Sequence, residues 1–258
     1  MVVPIFFLAH WYGSLLAQTI FLHRYAAHRM YSLNKFWERV FFFMTYLAQG
    51  SSFLNPRAYA ILHRLHHAHS DTPDDPHSPV IHPNVFTMMM ITRRKYLDIL
   101  DDKMQVMKEH LANIPRWHWL ESFAEQPWSR IGWGLAYIAF YVFFADAWYW
   151  YLLLPIHFLM GPIHGAIVNW AGHKLGYRNF ESPDNSRNTL SFDFLTLGEL
   201  FQNNHHKFPG RPNFAKRWWE IDPGYLTLRA MEALGILKIR YRVGKRIKAA
   251  RARLKKAA

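Results

Sequence analysis

Residues 63–67 read His63-Arg64-Leu65-His66-His67. On a helix these three imidazoles, at i, i+3 and i+4, project from one face within about 100° of arc. Neutral imidazole is a common nitrogen ligand for iron, copper, nickel and zinc. A similar cluster recurs as His205-His206, with Gln202 where a third histidine would stand, and a looser pair, His23 and His28, precedes both. Clusters from three separate parts of the chain point to a built metal site. On a regular helix, positions i and i+5 differ by about 140°. His23 and His28 therefore either serve different ions or sit where the helix loosens. A further candidate is Asn169-Trp170-Ala171-Gly172-His173. Its i, i+4 spacing places Asn169 to hold a metal-bound water beside His173. Eight histidines are too many for one ion and suit two.

Composition narrows the chemistry. The 258 residues suffice for one domain with a sizeable core, and there are no cysteines. Disulfide scaffolds, thiolate zinc sites and cysteine-held iron–sulfur clusters are thereby excluded, so any metal is held by nitrogen and oxygen. There is no His-Glu-x-x-His, and zinc hydrolases ordinarily pair three ligands with a catalytic Glu. An all-nitrogen set without thiolate favours iron where redox chemistry is required. Aromatic residues make up 17% of the chain, with 11 tryptophans, a level that suits a membrane-interface belt. The net charge of +13 fits an anionic membrane face or acidic partners. No nucleic-acid motif accompanies it, and no nucleic acid is expected as a partner.

Hydropathy predicts an all-α membrane protein of one domain over 1–258. Residues 2–22 form an apolar run of span length, without the basic n-region or cleavage site of a signal peptide. A first segment, 1–30, thus carries a span and the first histidine pair. Residues 131–154 and 155–171, split by Pro155, predict a transmembrane hairpin over 131–171. The stretch 70–128 is polar and belongs in water. If the histidine clusters share one site, the segments between them must cross the membrane an even number of times. Residues 36–54 are therefore expected as an interfacial or re-entrant helix. The basic content of 57–116 and 207–256 puts that face in the cytoplasm. Asp222-Pro223 reads as a helix start, and a basic tail occupies 237–258.

The boxes resemble those of the membrane fatty acid desaturases, which carry His-x4-His, His-x2-His-His and a third His-x2-His-His. Residues 63–79, HRLHHAHSDTPDDPHSP, resemble the second box with its Asp-Pro-His extension. Residues 169–180, NWAGHKLGYRNF, resemble the family's Asn-x3-His segment. Residues 198–211, GELFQNNHHKFPGR, resemble the third box, followed by Trp218-Trp219-Glu220-Ile221-Asp222. The likeness runs from about residue 12 to 236.

That resemblance implies a helical integral membrane protein, multi-pass, with a cytosolic helical cap holding a histidine-ligated di-iron centre on the cytoplasmic face. Its implied ligands are His23, His28, His63, His66, His67, His173, His205 and His206, with Asn169 bridging through water. Gln202 departs from the family pattern; its amide oxygen either binds weakly or leaves the position open or to water. Asp71, Asp74, Asp75 and Glu199 are candidates to orient the imidazoles through the far ring nitrogen. His69, His77 and His82 read as outer or loop residues, and His10, His157 and His164 as core histidines. The implied activity is O2-dependent desaturation of a saturated acyl chain, delta-9-type and most simply on a thioester. Two irons serve as cofactor and O2 as co-substrate. Where animal acyl-CoA members have Arg-Asp before the second box, this chain has Ile61-Leu62. The head group therefore stays open among CoA, carrier protein and lipid. Electrons must come from a separate carrier such as a ferredoxin or a small haem protein, and membrane lipids are the other partners. The competing readings are a hydroxylase on the same scaffold and a non-catalytic metal-binding membrane relative, the last favoured only by Gln202.

Overall fold

In the computed structural model residues 1–240 are described, and the basic tail expected over 237–258 lies, beyond Arg240, outside them. The fold is predominantly helical, as the hydropathy predicts. Helix α1 (Val2–Leu16) continues without a break into a π-helix, Ala17–Ala27. Together they make one 26-residue helix whose most apolar 18 residues have mean hydropathy 1.4, long enough to cross a bilayer. Its outward residues Ile5, Leu8 and Tyr12 are exposed at a helical period.

Helices α2 (Lys35–Gln49), α3 (Pro56–His69) and α4 (Val85–Leu100) each start at an asparagine whose side chain accepts a backbone N–H of the first turn. Asn34 takes Trp37 N at 2.9 Å, Asn55 takes Arg57 N at 2.9 Å and Asn84 takes Thr87 N at 2.9 Å. Asparagine ranks among the best N-caps, and Pro56 adds a first-turn residue with preset φ. Helix α2 has 15 residues, about 22 Å at 1.5 Å per residue, against a hydrocarbon core of about 30 Å. Short helices α5 (Lys108–Leu111) and α6 (His118–Glu125) follow, then α7 (Pro127–Phe144), α8 (Leu154–Phe158), α9 (Met160–Lys174), α10 (Gln202–Lys207) and α11 (Pro223–Ala233). Asp222 caps α11 through Tyr225 N at 2.9 Å, as its sequence predicts. Two short strands pair antiparallel, Tyr31 opposite Ile239 and Ser32 opposite Lys238.

The expected hairpin over 131–171 takes a different form. Helix α7 ends at Phe144, and a 3-10 segment, Trp148–Leu153, leads into α8. Pro155 stands in the first turn of α8 and does not separate two spans. The second apolar unit, Trp148–Phe158 plus Met160–Lys174, is bent by 74°. Among the described residues, that pair counts as a second crossing only if the bent helices form one span. Helix α7 falls short on apolarity because Arg130, two glycines and four Trp or Tyr residues occupy it.

What joins the N-terminal helix to the C-terminal third is a buried ion pair. Arg24, fully buried, donates from Nη2 to both Asp222 oxygens at 3.0 Å and approaches Glu199 at 3.5 Å. Its guanidinium lies 4.1 Å from the centre of the Phe214 ring. Two glycines make the space: a Cβ on Gly224 would stand 2.1 Å from Arg24 Nη1, and one on Gly198 (φ 95°) 2.2 Å from Asp222 Oδ1. From the other side Arg64 closes the end of the π-helix, donating to the carbonyls of Ala27 at 2.9 Å and Ala26 at 3.0 Å.

Arg24→Leu strands the buried carboxylates of Asp222 and Glu199, a loss on the order of 3–5 kcal/mol. Thermal unfolding in detergent should show a large fall in Tm. Arg24→Lys should recover only part of it, since one ammonium cannot meet Asp222 from the place of Nη2 and Thr19 and Glu199 from the place of Nη1 at once. An unchanged Tm for Arg24→Leu would show that this pair does not hold the fold.

Candidate metal centre

The π-helix resolves the spacing of the first box. In a π-helix the amide at i+5 bonds to the carbonyl at i, so side chains five apart stack on one side. His28 N donates to His23 O at 3.1 Å, and both imidazoles join the same group. Helix α3 brings His63, His66 and His67, α9 brings His173, and α10 brings His205 and His206.

The eight histidines converge as two groups. His23, His28, His63, His67 and His205 bring one ring nitrogen each within 4.8 Å of one another, and His66, His173 and His206 do the same. Within the first group the Nε2 atoms form a chain of close approaches. These are His28–His63 at 2.8 Å, His63–His67 at 3.0 Å, His67–His205 at 2.9 Å and His205–His23 at 3.0 Å. Nitrogens about 2.1 Å from a shared ion and at right angles around it stand about 3.0 Å apart. A neutral imidazole has only one N–H, so single hydrogen bonds do not account for rings that approach two neighbours at once. In the second group His66 Nε2 and His206 Nε2 are 3.3 Å apart, and the buried His173 Nε2 has no hydrogen-bond partner. The donor set fits two cations.

Carboxylates set the far ring nitrogens. His66 Nδ1 donates to Asp75 at 2.9 Å, His173 Nδ1 to Asp71 at 3.1 Å and His206 Nδ1 to Asp184 at 2.7 Å, and His23 Nδ1 stands against the Glu199 carboxylate. A carboxylate on one nitrogen fixes the tautomer and aims the other lone pair. Burial pushes the Asp71 carboxyl up, but hydrogen bonds from His173, Ser78 and the Asn185 backbone outweigh it and hold it down at about 2. Asp75 and Asp184 are likewise held well below the usual range by His66 and His206. Burial first, then neighbouring imidazoles, keep His28, His63, His67 and His205 well below their ordinary value, so the rings are neutral. Neutral rings are what a cation requires.

Of the sequence candidates, Asp71, Asp75 and Glu199 each reach an imidazole, whereas Asp74 is exposed. Asn169 sits one turn before His173 on α9. Gln202 is buried against Gly172, where an added Cβ would stand 2.3 Å from its Cγ, and its amide N–H is spent on Glu199 O at 2.7 Å. His77 is buried and stacks on His66 at 4.3 Å. The sequence reading missed Asp184, which sits in a loop with no helical spacing to mark it. It missed Asn203 and Asn204 too, whose amides bond the Asn179 backbone, Asn188 and Glu220 and so fix α10. Their adjacency to the third box was the available signal. Aromatic rings wall the centre: Phe214 lies 4.5 Å from His205, and Tyr59 lies parallel to His63 at 6.0 Å.

The fatty acid desaturase family model matches residues 1–235. Over 231 residues the chain is 32% identical to the sn-1 stearoyl-lipid 9-desaturase of Synechocystis sp. (strain ATCC 27184 / PCC 6803 / Kazusa), covering 85% of this chain and 65% of that protein. It is 28% identical over 250 residues to the sn-1 stearoyl-lipid 9-desaturase of Anabaena variabilis, covering 91% of this chain and 82% of that one. The Delta-9 desaturase-like 5 protein of Arabidopsis thaliana is 29% identical over 238 residues, covering 86% and 71%. The chain thus spans just under two thirds of the Synechocystis protein and somewhat more of the other two. With a family pattern extending over nearly all of its residues, and the histidines of that pattern gathered at one place in the fold, the chain belongs to the fatty acid desaturase family.

Proposed function

We propose that this chain is an O2-dependent fatty acyl desaturase of delta-9 type. Its substrate is a saturated chain on a membrane lipid, and its eight histidines hold two irons. The observation that carries the reading is the convergence of those histidines into groups of five and three within this family. The sequence alone suggested a thioester; the names of the relatives, stearoyl-lipid desaturases, favour a lipid head instead. Asn169 completes the second group through a water.

Iron bound there would supply the O2 activation that an unactivated C–H bond requires. The chain's own residues do the rest. Asp71, Asp75, Asp184 and Glu199 aim the imidazole lone pairs, burial keeps the rings neutral, and Phe214 and Tyr59 exclude water. Overall the acyl chain gives up two hydrogens, and these with O2, two electrons and two protons make two waters. The electrons come from a separate one-electron carrier.

The exposed apolar residues of α1 and those of α7, Ile131, Leu135, Val142 and Phe143, support a multi-pass integral membrane placement. In it α2 lies at the interface and the histidines face the cytoplasm.

Detergent-purified protein supplied with iron should hold two irons per chain. A host expressing it should gain a monounsaturated acid two hydrogens lighter than its parent; a product one oxygen heavier would establish a hydroxylase instead. His66→Ala and His206→Ala should abolish the product and lower bound iron, and normal iron with normal turnover would sink the ligand assignment. Asp184→Asn should weaken iron retention about 10–100-fold, read by chelator competition. Gln202→His should keep iron binding; complete loss of iron would overturn the account of that position.

A further inference from the structure

The two histidine groups sit in unequal electrostatic surroundings. In the group of three, every ring has its own aspartate, and those carboxylates are satisfied by neutral donors. Asp71 accepts from Asn185 N and the Ser78 hydroxyl, Asp75 from the backbone N–H groups of Asp71 and His77, and Asp184 from the Ser182 and Ser186 hydroxyls. Among the described residues no Lys or Arg forms an ion pair with any of these three carboxylates. In the group of five, only His23 has a carboxylate, Glu199, and Arg24 stands beside it at 3.5 Å. The Nδ1 of His205 is buried with no partner. Arg178 and Lys95 reach only the backbone carbonyls of Asp184 and Asp75, and three carboxylates without a direct cation partner against one that Arg24 meets favour the more oxidised ion in the group of three, so the group of five accepts an electron more readily.

The group of five also reaches the surface. His28 lines a surface cavity of about 340 Å³ together with Arg29, Arg64, Asn113 and Glu109. Its ring lies 4.6–4.8 Å from those of His63, His67 and His205. Arg29 is held in the left-handed region (φ 54°), with its guanidinium 4.4 Å from the centre of the Tyr25 ring. The buried Nε and Nη1 of that guanidinium have no partner. Arg64, fixed by the carbonyls of Ala26, Ala27, His110 and Ala112, gives the rim a second positive charge. The lining has no large apolar side chain, so an acyl chain finds no wall there. Glu109 is its one acid.

We propose that an acidic one-electron carrier protein docks on the Arg29–Arg64 mouth and passes electrons through His28 to the group of five before the group of three. The inference rests on the desaturase reading above. In each encounter the carrier is oxidised by one electron and the centre reduced by one; two encounters supply one turnover.

The test is stopped-flow reduction of the iron-loaded full chain by a reduced acidic [2Fe–2S] ferredoxin over a range of ionic strength, with photoreduced deazaflavin as a small reductant. Arg29→Glu should slow reduction by ferredoxin about tenfold and flatten its salt dependence. Glu109→Lys should speed it, which a folding defect cannot do. Both variants should keep wild-type iron content and wild-type reduction by deazaflavin. In a reductive titration Asp184→Asn should raise the lower of the two potentials, and Glu199→Gln the higher. Unaltered ferredoxin rates in both charge variants overturn the docking site, as does a wild-type protein that deazaflavin reduces and ferredoxin does not. An Arg29→Glu effect confined to the KM for phospholipid would assign the mouth to a lipid head group, and the opposite pattern of potentials would reverse the order of entry. Iron-loaded protein that desaturates with deazaflavin while failing these tests leaves the desaturase reading standing; protein that binds no iron defeats both.

Discussion

Everything at the centre depends on a guanidinium buried where water cannot reach it. Arg24 is the residue after His23, and its Nη2 holds both oxygens of Asp222 at the start of α11 while its Nη1 approaches Glu199. Glu199 in turn stands against Nδ1 of His23. One side chain therefore fixes the rotation of the N-terminal helix, the position of the C-terminal third, and the aim of a candidate ligand. An arrangement of this kind tolerates no partial loss, because an unpaired charge at such depth costs more than the pair contributes. Gly198 and Gly224 serve the same junction, since side chains at either would occupy the volume of the ion pair.

Much of the centre was legible because metal ligation imposes spacing. His63, His66 and His67 announce themselves as one helical face, and α3 presents them so. His23 and His28 did not fit a regular helix, and that misfit was itself a correct signal: the backbone widens to a π-helix over Ala17–Ala27. Asp71, Asp75 and Glu199 were visible because they lie close to boxes in the chain. Asp184 was not, because nothing local marks a loop carboxylate that meets His206 only after folding. The same holds for Asn188 and Glu220, which brace α10 from afar.

The apolar segments were less legible than the histidine groups. An apolar run specifies burial in something greasy but not a path. The 131–171 stretch yields a helix ending at Phe144, a 3-10 segment and two helices meeting at 74°. Tyr137, Tyr141 and His157 are buried there, so part of that apolarity is spent on packing inside the protein.

The π-helix has a consequence for how the molecule is made. Widened helical turns have little stability alone, and this one is held open by Arg64 from α3 and, through Arg24, by residues near the C-terminus. Five of the eight histidines lie within the first 67 residues, yet the carboxylates that orient His23 and His206 follow more than a hundred residues later. A growing chain thus emerges with many imidazoles but without the geometry to grip an ion strongly. The complete set of rings and orienting carboxylates comes together only once the last third has docked.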